Sequence, residues 1–227
     1  LIFYGRLRKL IPTFRAGHYI MIARLSRIAS IGALAGALAV TALPAAAQLA
    51  SGSPGYQFLD AVKNDKGNDV ESILAKPGSR IIDTQDPSSG EGALHIVVRR
   101  DDSRYVSYLL AKGANPNIKN RQGDTPLLLA VDRGYGDLIP LLLKGKANPN
   151  LAGDGGQTPL IKAVLRRDEQ MVRDLIEGGA DPDKRDYMAG KSARDYANGD
   201  ARSPGMIKLF ADLPAAPKRG VSGPTLR

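Results

Sequence analysis

The stretch A-N-P-N at Ala114–Asn117 returns at Ala147–Asn150, and an acidic version, A-D-P-D, stands at Ala180–Asp183. Each copy follows the last by 33 residues. Asn and Asp favour turns and proline cannot continue a helix, so the motif reads as an exit from a helix into a loop. An apolar run precedes every copy: Y-L-L-A-K-G at 108–113, L-L-L-K-G-K at 141–146 and D-L-I-E-G-G at 174–179. Gly113 and Gly179 accept cheaply the positive φ that ends a helix, and Lys146 holds that position in the middle copy.

Outward from the turn, the copies align on Gly90, Gly123 and Gly156: G-E-G-A-L-H-I-V-V-R-R, G-D-T-P-L-L-L-A-V-D-R and G-Q-T-P-L-I-K-A-V-L-R. A fourth begins at Gly190, one residue late, as G-K-S-A-R-D-Y-A. A degenerate copy, Tyr56 to Asp86, precedes them all. Thr125 and Thr158 suit the N-cap of a first helix, and Pro126 and Pro159 suit its first position, where a missing N–H has no consequence. That helix carries Leu127, Ala130 and Val131, or Leu160, Ala163 and Val164. A polar break follows, and then a second helix with Val106, Leu109, Leu110, or Ile139, Leu142, Leu143, or Val172, Leu175, Ile176, at i, i+3, i+4 spacing. Pro140 falls inside the middle second helix and is expected to bend or shorten it, making that repeat the least regular.

The period, the turn and the T-P-L pattern resemble the ankyrin repeat. The resemblance covers about 56–212 and implies an all-α solenoid of stacked helix-turn-helix units. Single repeats cannot bury their apolar faces, so terminal copies serve as caps. The expected organisation is an N-terminal cap at 56–89, repeats at 90–122, 123–155 and 156–189, a C-terminal cap at 190–212, a flexible linker at 48–55 and a disordered tail at 213–227. The family's T-P-L-H pattern is incomplete: Gly92-Ala93 stands in for Thr-Pro, and its His survives only as His95. The resemblance implies that His95 hydrogen-bonds within its own turn. It also implies that loop tips and first helices form a concave face for binding proteins.

The N-terminal 47 residues carry six basic side chains (Arg6, Arg8, Lys9, Arg15, Arg24, Arg27) and no acid. From Met21, a basic start, an apolar run from Ile28 to Leu43 and A-A-A before Gln48 read as a secretory signal peptide over 21–47. The run is shorter than the ~20 residues a spanning helix needs, so membrane attachment is expected only if the segment stays uncleaved. On this reading translation starts at Met21 and residues 1–20 are a start-site artefact. Taking the six basic residues from 32 leaves 26 against 23 acidic, a charge of +3 rather than +9. The nucleic-acid reading loses its main support with them. Cysteine is absent, which excludes disulfides, thiolate nucleophiles and Cys-based metal sites.

No catalytic, metal or cofactor constellation emerges. Only two histidines exist, with no H-x-x-x-H or H-E-x-x-H spacing. Asp101-Asp102 and Asp168-Glu169 read as caps of second helices, and Gly153–Gly156 as a turn tip. Arg100, Arg133 and Arg166 share one position in successive copies. They form a ladder that either complements helix C-termini or offers a basic stripe to an acidic partner. Lys119, Arg121, Lys184, Arg185 and Lys191 form a second basic set on the loop tips, with Asp124, Asp154 and Asp186 interspersed. The expected protein is a monomeric, non-enzymatic, periplasmic protein-binding scaffold, similar to small exported ankyrin proteins of Gram-negative bacteria. The alternatives are a secreted effector or a regulatory subunit or inhibitor of a partner enzyme.

Overall fold

The computed structural model describes residues 52–75 and 80–214. The readings made for 1–47, for 48–51 of the linker and for nearly all of the tail lie outside the described residues; at 53–55 the structure has Ser53 capping a helix that starts at Pro54, not a flexible linker. Among the described residues, ten helices run in pairs: α1 (Pro54–Lys63) with α2 (Gly67–Leu74), α3 (Ala93–Arg99) with α4 (Ser103–Ala111), α5 (Pro126–Arg133) with α6 (Leu138–Lys144), α7 (Pro159–Arg166) with α8 (Glu169–Glu177), and α9 (Ala193–Gly199) with α10 (Pro204–Ala211). A 3-10 turn at Arg80–Asp83 precedes α3. Among the described residues, extended pairing is confined to isolated bridges, Gln85 with Gly92 and Arg185 with Ser192. The fold is the all-α solenoid.

First helices stack in the order α1, α3, α5, α7, α9, and second helices in the order α4, α6, α8, α10. The residue at the centre of each first helix, Val97, Ala130, Ala163 or Ala197, is fully buried. Small side chains there let neighbouring axes come close. Leu109, Leu142 and Leu175, equally buried, fill the same layer from the second helices. The apolar positions of each repeat therefore merge into one continuous core.

Local chemistry sets the helix ends. Leu128 N donates to Thr125 Oγ1 at 3.2 Å, and Ile161 N to Thr158 Oγ1 at 3.3 Å. Both threonines are 1% exposed, so water cannot replace them as caps. Second helices start on aspartates: Tyr105 N donates to Asp102 Oδ1 at 2.9 Å and Met171 N to Asp168 Oδ1 at 3.0 Å. The middle second helix departs from this. Asp137 makes no side-chain cap, and α6 has 7 residues where α4 and α8 have 9. Pro140 is its third residue, within the turn whose N–H groups have no intrahelical partner anyway. Proline has shortened the helix from its start. The three second helices exit through equivalent left-handed residues, Gly113 (φ 89), Lys146 (φ 68) and Gly179 (φ 88).

Candidate functional site

The repeated Asn of the opening motif ties one repeat to the next. Asn117 Oδ1 accepts from Asn148 N at 2.7 Å, and its Nδ2 donates to Lys146 O at 3.1 Å. One repeat later Asn150 Oδ1 accepts from Asp181 N at 2.7 Å and Nδ2 donates to Gly179 O at 3.0 Å. Asp83 begins the ladder with one bond, from Asn115 N at 2.8 Å. At the other end Arg194 closes it, donating to Asp183 at 2.8 and 3.3 Å and to Phe210 O at 2.5 Å. An amide side chain serves here because it offers one acceptor and one donor to adjacent backbone groups of the following turn.

Most residues of the two basic sets donate to backbone carbonyls. Arg100, one residue past α3, donates to Val62 O at 2.9 Å, pairs with Asp65 at 3.4 Å and lies over the Tyr105 ring. Arg166 donates to Asp132 O at 2.9 Å. Each thus satisfies a carbonyl at the end of the previous first helix. Arg133 lies exposed in the last turn of α5. On the loops, Lys119 donates to Ala152 O at 2.6 Å, Lys184 to Asn150 O at 2.8 Å, Arg185 to Gly190 O at 2.5 Å and Arg121 to Pro87 O. Lys119, Lys184 and Arg121 brace each loop against its neighbour, and Arg185 closes its own.

His95 is 1% exposed. Its Nδ1 accepts from Gly92 N at 3.1 Å, a bond within its own turn that satisfies the N–H of the N-cap residue from the third position of the helix. Its Nε2 also reaches Asp124 O, 3.0 Å away in the next repeat. A carbonyl only accepts, so Nε2 carries the proton and the ring is neutral. Burial pushes its pKa below the usual 6.5. Both nitrogens are occupied, which leaves this imidazole nothing to offer a substrate. Among the described residues no three acidic or histidine side chains group as a metal cluster.

The loop tips close in two sizes. Asn120 N donates to Asp124 O at 2.9 Å and Gly153 N to Gln157 O at 3.1 Å. The first and last loops hold one residue more: Asp86 N donates to Glu91 O at 2.9 Å and Asp186 N to Lys191 O at 3.0 Å. Asp186 is buried. It accepts from Tyr196 Oη at 2.7 Å and from Ala189 N at 2.8 Å, and the Tyr196 bond holds its pKa below the ordinary range.

A family model described as ankyrin repeats (3 copies) matches residues 58–152 and 94–186, together more than half of the chain. The chain belongs to the ankyrin-repeat family. A Drosophila melanogaster protein, the nuclear factor NF-kappa-B p110 subunit, is 46% identical over 44 residues, which is 19% of this chain and 4% of the relative. An ankyrin repeat protein of Acanthamoeba polyphaga mimivirus is 37% identical over 70 residues, 31% of this chain and 9% of the relative. The chain thus spans a small part of these relatives, and the likeness is one of repeats.

Within the ankyrin stack, one pair of surface residues escaped the sequence reading. Tyr187 and Met188, on the last loop tip, are 81% and 82% exposed. The available signal was the one-residue surplus before Gly190, which marks the position where this loop widens. The first helices contribute a mixed face: Lys162 pairs with Asp132 at 2.7 Å, and Arg99 with Glu91.

Proposed function

We propose that this ankyrin chain is a non-catalytic protein-binding scaffold that works in the periplasm after export directed by 21–47. The observation that carries the reading is the repeat-to-repeat bracing of the loops. Asn117, Asn150 and Lys119 spend polar atoms on the backbone of the next loop and Lys184 on that of the preceding one, so the row of tips is held as one surface. A preorganised surface of this kind loses little conformational entropy on binding. Repeats of this family suggest protein–protein interaction, and both nitrogens of His95 are engaged within the stack. The export reading rests on the basic, apolar and A-A-A order of 21–47.

The test has two arms. Fractionation of a bacterial host expressing the tagged chain should place it in the periplasm, processed before Gln48. Recovery in the cytoplasm at full mass sinks the export half of the proposal. Cross-linking from periplasmic extract should then capture one stoichiometric protein. Capture only from culture supernatant or from another organism's extract replaces the scaffold by a secreted effector. An enzyme activity that appears when the captured partner is stripped away replaces it by an inhibitor.

A further inference from the structure

We infer that the tip of the last loop is the anchor of the binding surface, and that it takes an acidic protein segment with a large apolar side chain at its centre. This rests on the scaffold reading and adds the partner's chemistry. The first and last loops share one architecture: a bridge at the base, the wide closure, an Asp side chain accepting backbone N–H groups inside, and a positive-φ glycine at Gly90 or Gly190. The first reads D-P-S-S-G-E at 86–91 and the last reads D-Y-M-A-G-K at 186–191. Pro87 and Ser88 close the same loop that Tyr187 and Met188 close. The fold therefore requires neither an aromatic ring nor a thioether at the tip.

Two large apolar side chains more than four-fifths exposed are unfavourable in water unless something covers them. Tyr and Met are enriched at the centres of protein interfaces, where rigid aromatic area and adaptable thioether packing both help. Charge separates the loops as well. Asp86 and Glu91 of the first are paired to Lys63 and Arg99. Around the last stand Lys184, Arg185 and Lys191. Lys184 spends its hydrogen bond on a neutral carbonyl, and Lys191 lies 5.7 Å from the Tyr196 ring and shares Asp195 with Arg185, two cations against one carboxylate. The Asp186 carboxylate is buried and occupied, and Asp195 is taken by Arg185 at 3.2 Å. Asp154, on the opposite wall, is the one acid lining the groove beside the tip, among Lys119, Leu151, Gly153, Lys184 and Tyr187. The third loop is glycine there because a Cβ on Gly156 would lie 2.6 Å from Tyr187 N. Tyr187 is thus seated directly against the groove wall, next to a positive rim.

The probe is a phage-displayed library of random linear peptides selected on the immobilised full-length chain. Enriched sequences are synthesised and titrated by calorimetry. The comparison variants are Tyr187→Ser/Met188→Ser, which grafts the first loop's serine onto both tip positions and keeps the Tyr187 N–H that donates to Gly155 O at 3.0 Å, Met188→Ser alone, and Lys191→Glu, the first loop's residue. All should melt within a few degrees of wild type, since the first loop closes without an aromatic ring, a thioether or a lysine at these positions. The expected result is enrichment of acidic peptides with a central aromatic or aliphatic residue. Their Kd should rise about tenfold or more in the double variant, and severalfold in Lys191→Glu with a weaker salt dependence. Peptides without acidic residues, or with affinity untouched by the graft, overturn the inference while leaving the scaffold standing, as does a selection that enriches nothing. Phosphatidylglycerol vesicles that bind wild type but not the graft also overturn it, in favour of a membrane surface. The scaffold itself fails only by the periplasmic capture described above, with folded proteins as prey.

Discussion

At the scale of the residue, His95 makes stability depend on pH in a window of its own. The native ring stays neutral, whereas the unfolded chain takes up a proton below about 6.5, the ordinary histidine value. Its contribution is whole above that pH and is lost as pH falls towards the depressed native pKa. Asp86, held well below the usual range by Lys63, acts at lower pH: its contribution is present above 3.8 and fades as its carboxylate protonates. Urea melts between pH 8 and 5 should show falling stability for wild type and a flatter profile for His95→Leu. The variant should also be weaker by about 1–2 kcal/mol at pH 8, because Gly92 N and Asp124 O lose their partner. Two tyrosines behave in the opposite sense. The hydroxyls of Tyr105 and Tyr108 are buried without a hydrogen-bond partner, their rings edge to face at 5.8 Å. Tyr105→Phe and Tyr108→Phe should leave the melting temperature unchanged or raise it, and a loss above ~1 kcal/mol for either would contradict the unsatisfied state.

At the scale of the element, the helix starts with a side-chain cap were legible because the cap lies within four residues of the groups it satisfies. Thr125-Pro126 and Thr158-Pro159 announce themselves, and so do Gly113 and Gly179. Lys146 was readable as an irregularity at the same position, and the structure shows it forced to φ 68. A side chain with a Cβ in that conformation costs about 1–2 kcal/mol, partly offset in glycine by its freer unfolded state. Lys146→Gly should therefore stabilise by about 0.5–1 kcal/mol in a chemical melt. The ties between elements were not legible. The Asn of the repeated motif was plain, but its partners are backbone groups 29 and 31 residues away, and a backbone group has no residue type to betray it. The same holds for His95 Nε2, Lys119 and Lys184. Asn150→Ala removes two such bonds and leaves Asp181 N and Gly179 O without the amide; it should cost about 2 kcal/mol, against well under 1 for alanine at the exposed Glu177.

At the scale of the molecule, stability is a sum of pairs and their contacts, so damage at one end stays local at first. Arg194 gathers Asp183, Phe210 O and Pro214 O at the last pair. Arg194→Ala should raise amide exchange in α9 and α10 by two orders of magnitude, about 2–3 kcal/mol, while α3 to α6 keep their protection. Uniform loosening would mean instead that the stack opens as one unit. The Asn ladder has a mechanical side as well. Pulled apart along the stacking direction, successive repeats carry the load in series, and the links are unequal. Asn117 and Asn150 grip the next repeat with two bonds each, and Asp83 grips it with one, being unable to donate. A carboxylate in place of an amide thus builds a weak seam ahead of α3, where a tug from the N-terminal side would let the first pair peel away while the later repeats hold.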